Sequence, residues 1–327
     1  MHCQLLIPGF FSRDEAPAAV RLDAVETLVS KGRRKRLPAS SYEAWLFERF
    51  QIARQHDWPV APYALLADGG SPGPDFWMRA DPVHLRAGND SIVLIGVPPS
   101  GISRARAQAL AETLNRHFGE SLQICLTESG RWYARLQPVP EAQTTPVGAA
   151  QGEEIEAHLP SGRDAMRLRM LMNETQMLLH EHAVNIEREA RGEPALNSLW
   201  LWGGGAIERA PARQFSAVIA DDPLARGLAL AAGIPARRLP QDAGVMLASP
   251  DEDGVPLVVL NAPQNRDGCA ALERDWFKPL LAALHAGRIG MLSLHLLGVD
   301  ARLEVETVRS DLRYFWRRKK PLKSHLA

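Results

Sequence analysis

Short apolar runs alternate with stretches of helical period along most of this chain. Residues 4–8 predict a first strand that ends in a loop at Pro8-Gly9. Over residues 17–30, Leu22, Val25 and Val29 share one helical face, and the basic run from Lys31 to Arg36 is read as the end of that helix. Ser40 and Ser41 stand before a helix expected over 42–54. The Gly/Pro-rich residues 68–74 mark a boundary. Residues 91–97 read as a buried strand. Ser103 is placed to cap a helix with Ala107, Leu110, Ala111, Leu114 and Phe118 at core spacing. Leu122, Ile124 and Leu126, then Trp132, Ala134 and Leu136, alternate as two half-buried strands around the turn Glu128-Ser129-Gly130.

Residues 138–152 are polar and read as a linker. A long helix is expected from a Ser161 cap to Arg191, closed by Gly192. Strands follow at 199–202, 216–220, 257–261 and 291–297, the last almost wholly apolar, as a strand covered on both faces must be. Helices are expected at 223–232 and 270–286, the second bent at Pro279 and ended by Gly287. Strands separated by helices predict a mainly parallel α/β sheet with helices on both faces. The domain reading is a core at 1–75 and 153–327, an inserted α+β unit at 76–140, and a linker at 141–152.

The composition narrows the function classes. Lys plus Arg and Asp plus Glu are both 38, so no global field favours nucleic acid or an anionic membrane. Any such binding falls to local patches: Arg33, Arg34, Lys35 and Arg36, and Arg317, Arg318, Lys319 and Lys320 after the aromatic run Tyr314-Phe315-Trp316. Cys3, Cys125 and Cys269 are odd in number and far apart, which fits neither a disulfide framework nor a zinc site. A cytoplasmic location is the simplest expectation. The opening residues lack the basic flank and small-residue cleavage site of a signal peptide, and no uncharged apolar stretch is long enough to span a bilayer.

Several strings carry a resemblance. They are Pro38-Ala39-Ser40-Ser41, the run Asp81 to Ala87, Ile102-Ser103 with the helix after it, Trp132-Tyr133-Ala134-Arg135, the run Asn197 to Gly205, and Asp222 to Gly227 with Ala232-Gly233-Ile234. Together they resemble the archaeal-type cofactor-independent phosphoglycerate mutases of the alkaline phosphatase superfamily, including a bacterial subgroup labelled as regulatory proteins. The resemblance implies an alkaline-phosphatase-like sheet and a nucleophilic serine, matched by Ser40. It also implies two divalent metals (Mn, Zn or Co) that activate that serine and neutralise the phosphoryl oxygens.

The ligands it calls for are mostly missing. Pro8-Gly9 stands where the family has Asp-Gly. The family's Asp-x-x-x-His pair becomes Asn265/Cys269 or Gln264/Gly268, and its Asp-His pair becomes Leu294-His295. Trp202 replaces a substrate-side arginine, and Ser324-His325 is no convincing match for the final histidine. The leading expectation is therefore a catalytically degenerate regulatory or interaction protein without cofactor. The alternatives are an active mutase or phosphatase with a rearranged site, and a nucleic-acid-associated protein.

Each candidate also has a plain structural reading. Ser40 is a remnant nucleophile or a helix cap, and His295 a remnant metal ligand or a core histidine. Gly203, Gly204 and Gly205 form a phosphate-approaching loop or a tight turn. Arg86, with His84, is an anion contact or a partner of Asp81. His180 and His182, two apart on one helix, point to different faces and do not make a zinc pair.

Overall fold

The computed structural model describes residues 2–11, 22–88, 91–96, 101–209, 211–248, 254–261, 263 and 265–325. Contact density divides the chain into two compact units, Met1–Gln51 with Pro211–Ala327, and Ile52–Ala210.

The first unit opens with β1 (His2–Phe11), α1 (Asp23–Lys31), β2 (Arg33–Pro38) and α2 (Tyr42–Arg49). The expected first helix is present from Asp23; residues 17–21 of that expectation lie outside the described residues. α1 has no capping side chain of its own. Its first amides donate instead to the buried carboxylate of Glu273, Ala24 at 2.6 Å and Val25 at 3.3 Å. The basic run does more than end α1: Arg33 to Arg36 lie in strand β2. Lys35 sits opposite Glu304 and Arg33 opposite Glu306 on the neighbouring strand. Opposite charges across the ladder stabilise the pairing, and a charged edge strand resists pairing with other chains.

The second unit contributes α3 (Val60–Ala67), β3 (Trp77–Ala87), β4 (Ile92–Gly96), α4 (Arg104–Phe118), β5 (Leu122–Leu126), β6 (Trp132–Leu136), α5 (Val147–Ala150), α6 (Ala165–His180), α7 (Ala183–Ala190) and β7 (Ser198–Gly205). Ser103 caps α4 through Arg106 N, and all five predicted core positions of that helix are buried. The unit is wider than the 76–140 expected for it. β7 pairs antiparallel with β3, Trp200 opposite Asp81, so it belongs to this unit's five-stranded sheet. α6 packs Leu168, Leu171 and Leu179 into the same core as α4. The expected helix over 161–191 is two helices. α6 starts after Asp164 rather than at Ser161, and the chain breaks at Glu181-His182. There the His182 ring caps α7, Nδ1 accepting from Val184 N at 3.2 Å.

The chain then completes the first unit with β8 (Val218–Ile219), α8 (Pro223–Ala231), β9 (Ala236–Arg237), α9 (Ala243–Ala248), β10 (Leu257–Val259), α10 (Arg266–Leu272), α11 (Lys278–Ala286), β11 (Met291–Gly298) and β12 (Ala301–Val308). The sheet order is β2-β12-β11-β1-β10-β8-β9. The five strands from β11 to β9 are parallel, and β12 and β2 form an antiparallel edge. Leu5, Ile7, Leu292, Leu294 and Leu296 point to one face and join a core with α1 and α11. His295 points the other way, with its ring 4.8 Å from Trp45 of α2. This is the α/β class expected, with helices on both faces. The bend ascribed to Pro279 takes the form of a π-turn at Glu273–Phe277 between α10 and α11. Proline has no amide hydrogen, and its ring crowds the carbonyl four residues back, so the preceding turn widens.

Candidate functional site

Ligands of α/β sheets gather beyond the C-terminal ends of parallel strands. In the first unit the residues matched to the expected ligands have structural work. The strand does not end in a loop at Pro8-Gly9 as expected: Pro8, which has no side-chain donor, and Gly9 at φ 61° lie within β1, where its register with β11 shifts between Ile7 and Phe11. After β10, Asn265 Oδ1 accepts from Gly268 N at 2.9 Å and caps α10. Cys269 is fully buried in the core, and burial raises its thiol pKa. Leu294 is also fully buried. Gln264 lies outside the described residues.

His295 is 7% exposed and bonds through Nε2 to Gln4 Oε1 at 3.1 Å. Its Nδ1 lies 3.7 Å from Glu304 Oε1, an ion-pair distance rather than a hydrogen bond. That neighbour holds Glu304 below the ordinary carboxylate range against the opposing effect of burial, with Arg49 and Arg302 assisting. His295 is thus packed beside Trp45 with Nε2 partnered, while its buried Nδ1 has no hydrogen-bond partner among the described residues. His325 is buried against Ser30 Oγ at 3.2 Å, and burial first, then Arg34 and Lys320, lowers its pKa.

Ser41, not Ser40, caps α2, accepting from Ala44 N at 3.1 Å. The Ser40 hydroxyl donates to the Ser41 carbonyl at 3.3 Å, a backbone partner that cannot act as a base. Asp222, the acid that opens the matched Asp222–Gly227 string, caps α8 and accepts from Ala225 N at 2.9 Å and from Tyr42 OH at 2.6 Å. Among the described residues no group of three or more His, Cys, Asp or Glu side chains is placed to hold a metal ion. A caps-and-core set of Pro, Asn, buried Cys and Leu does not fit two hard divalent cations, which need several oxygen or imidazole donors each.

The anion contacts expected elsewhere are relocated. Gly203, Gly204 and Gly205 do not form a loop. They are buried in strand β7, and the Gly203 amide donates to Thr144 Oγ1 at 3.0 Å. A Cβ on Gly203 would stand 2.8 Å from Val60 Cβ, and one on Gly205 would stand 2.4 Å from Pro59 Cβ. The glycines are there so that the start of α3 can lie on the strand. Arg86 is exposed near the end of β3, opposite Val93, while His84 Nδ1 meets the Ala195 carbonyl at 2.9 Å. Neither pairs with Asp81.

Arg33, Arg34, Lys35 and Arg36 are exposed on β2, whereas the C-terminal basic run is partly tied down. In the C-terminal run Arg317 bonds to the Lys31 carbonyl and pairs with Asp311 at 3.7 Å, and Lys319 pairs with Asp23. Arg318 and Lys320 remain exposed, as do Phe315 and Trp316.

The polar centre the sequence reading missed lies in the second unit. Arg79 is 8% exposed in β3, beneath the rings of Tyr133 (5.1 Å) and Trp202 (5.7 Å). Its guanidinium pairs with Asp81, whose other oxygen accepts from Trp202 Nε1 at 2.6 Å. Burial works against the Arg79 charge, but Asp81, Tyr133 and Asp68 outweigh it, so its pKa is raised. Asp68 in turn binds Tyr133 OH at 2.7 Å and Arg131 at 2.8 Å. The available signal was an arginine two residues before Asp81, set between the apolar Met78 and Ala80.

No protein-family model matches the chain. A probable 2,3-bisphosphoglycerate-independent phosphoglycerate mutase of Geobacter sulfurreducens is 39% identical over 170 residues, which is 49% of this chain and 42% of that protein. A 2,3-bisphosphoglycerate-independent phosphoglycerate mutase of Methanosarcina barkeri is 31% identical over 141 residues, 41% of this chain and 35% of that protein. The chain thus matches less than half the length of these relatives. The PH0037 protein from Pyrococcus horikoshii has a similar fold, with TM-score 0.58 at 12% identity, over 94% of this chain and 87% of that one. No helix among the described residues is long and apolar enough to cross a membrane. Over part of its length, then, this chain is similar in sequence to proteins named cofactor-independent phosphoglycerate mutases.

Proposed function

We propose that the chain keeps the alkaline-phosphatase-like scaffold of the phosphoglycerate mutases, has lost their two-metal chemistry, and acts by binding, as a regulatory or interaction protein. The partial sequence matches support the scaffold. The observation that carries the loss of chemistry is the use made of the residues matched to the expected ligands. Pro8 offers no donor, Asn265 is a helix cap, and Cys269 and Leu294 are core residues. A serine hydroxyl is a poor nucleophile at neutral pH unless a base or metal activates it. Among the described residues the Ser40 hydroxyl bonds only to a backbone carbonyl.

The test is turnover of 3-phosphoglycerate by the full chain in the presence of Mn, Zn or Co. The proposal expects none above the uncatalysed background. Turnover that disappears in Ser40→Ala would instead establish the active-enzyme alternative.

A further inference from the structure

A cavity of about 340 Å³ opens beside the Arg79 centre, bounded by Arg79, Asp81, Ile102, Arg131, Trp132 and Trp202. We propose that this cavity binds a small organic acid with a planar apolar body and a single carboxylate. The site lies wholly within Ile52–Ala210 and does not depend on whether the chain turns over phosphoglycerate.

Size comes first. The volume is at the lower end of small-molecule pockets, which suits a ligand built on one or two rings rather than a nucleotide. The walls supply the second argument. Trp132, Trp202 and Ile102 offer flat and aliphatic surface, so the body of the ligand is apolar.

The third argument is the arginine. Arg79 is more than nine-tenths buried, yet its Nε–H meets no acceptor among the described residues. A buried donor without a partner is costly, and burying a charged arginine makes the cost larger. A ligand oxygen would remove that cost. Asp81 does not compete for the place: its oxygens are taken by Arg79 and by Trp202 Nε1.

Charge then limits the ligand. The lining carries two guanidiniums, Arg79 and Arg131, against one carboxylate, Asp81. Asp68 pairs with Arg131 at 2.8 Å, so the two guanidiniums are balanced by two carboxylates. With the charges balanced, the unpartnered Nε–H of Arg79 is what calls for a single acceptor group, and a phosphate dianion beside Asp81 is disfavoured. The cavity is therefore a carboxylate site in a unit that the resemblance would make a phosphoglycerate-handling one.

The experiment is calorimetric titration of the full chain with benzoate and with indole-3-acetate, alongside benzamide and inorganic phosphate. At least one of the two carboxylates is expected to bind with 1:1 stoichiometry and to change the intrinsic tryptophan fluorescence. Benzamide should bind at least about tenfold more weakly, and phosphate should give no heat. Ile102→Trp fills the cavity from a half-buried position and leaves the Arg79 network in place. It should lower carboxylate affinity at least about tenfold with an unchanged melting temperature. Arg79→Lys should lower it similarly, because a lysine keeps the charge and loses the Nε donor. No binding of either carboxylate at millimolar concentration overturns the proposal. So does carboxylate binding that Ile102→Trp leaves intact, or phosphate binding tighter than the carboxylates.

Discussion

Replacing Gly203 by alanine separates a packing role for the three-glycine segment from a phosphate-binding one. Gly203 has φ 66°, in the left-handed region, where an L-residue with a Cβ costs roughly 1–2 kcal/mol. The added Cβ would also stand 2.8 Å from Val60 Cβ, a backbone-proximal carbon that cannot swing aside. Overpacking of this kind costs about 1–3 kcal/mol. The two together predict a loss of roughly 2–5 kcal/mol. Gly205→Ala, whose Cβ would lie 2.4 Å from Pro59 Cβ, carries the overpacking part, about 1–3 kcal/mol. Gly148→Ala is the control: it sits in α5, and a Cβ there meets nothing within 4 Å, so stability should be unchanged or slightly higher. Urea unfolding read by tryptophan fluorescence measures all three as shifts in midpoint at constant slope. A Gly203→Ala protein as stable as wild type, with inorganic phosphate binding lost, would refute the packing account and restore the phosphate loop.

Two further expectations concern local groups. Ser41→Ala should cost about 1 kcal/mol through loss of the α2 cap, while Ser40→Ala should stay within about 0.5 kcal/mol of wild type, both read from denaturant midpoints. His2 and His325 have pKa values lowered from 6.5, mainly by burial, so below that pH the unfolded chain binds more protons than the folded one. Stability should therefore fall as pH drops from about 6.5 through the lowered folded values, and His325→Gln should flatten part of that slope in melting curves recorded from pH 7 to pH 5.

Much of the fold was legible because its elements obey local rules. The Ser103 cap with its five core positions, the β5–β6 alternation, the apolar β11 and the Gly287 stop each rest on neighbours close in sequence. The misreadings came where distant partners decide. A run of Arg and Lys looks like a loop until Glu304 and Glu306 of β12 stand opposite it. A helix over 161–191 looks continuous until His182 caps a second start and turns its other nitrogen to Thr113, 3.1 Å away. Glu273 gives no local hint that it caps α1 from 249 residues away.

The candidate site divides in the same way. The missing ligands could be read directly, because Pro8 and Leu294 cannot bind a cation in any fold. The Arg79 centre could not. Its parts, Asp68, Arg79, Asp81, Tyr133 and Trp202, come from three strands and a loop, and only the sheet order brings them together.

The claim that phosphoryl-transfer metals have no home here is tested most directly by metal stoichiometry. The full chain would be incubated with excess Mn or Zn, passed through gel filtration, and assayed by elemental analysis. The account predicts metal well below one ion per chain, unchanged in His295→Ala. One or more ions per chain surviving filtration, and lost on His295→Ala, would contradict it.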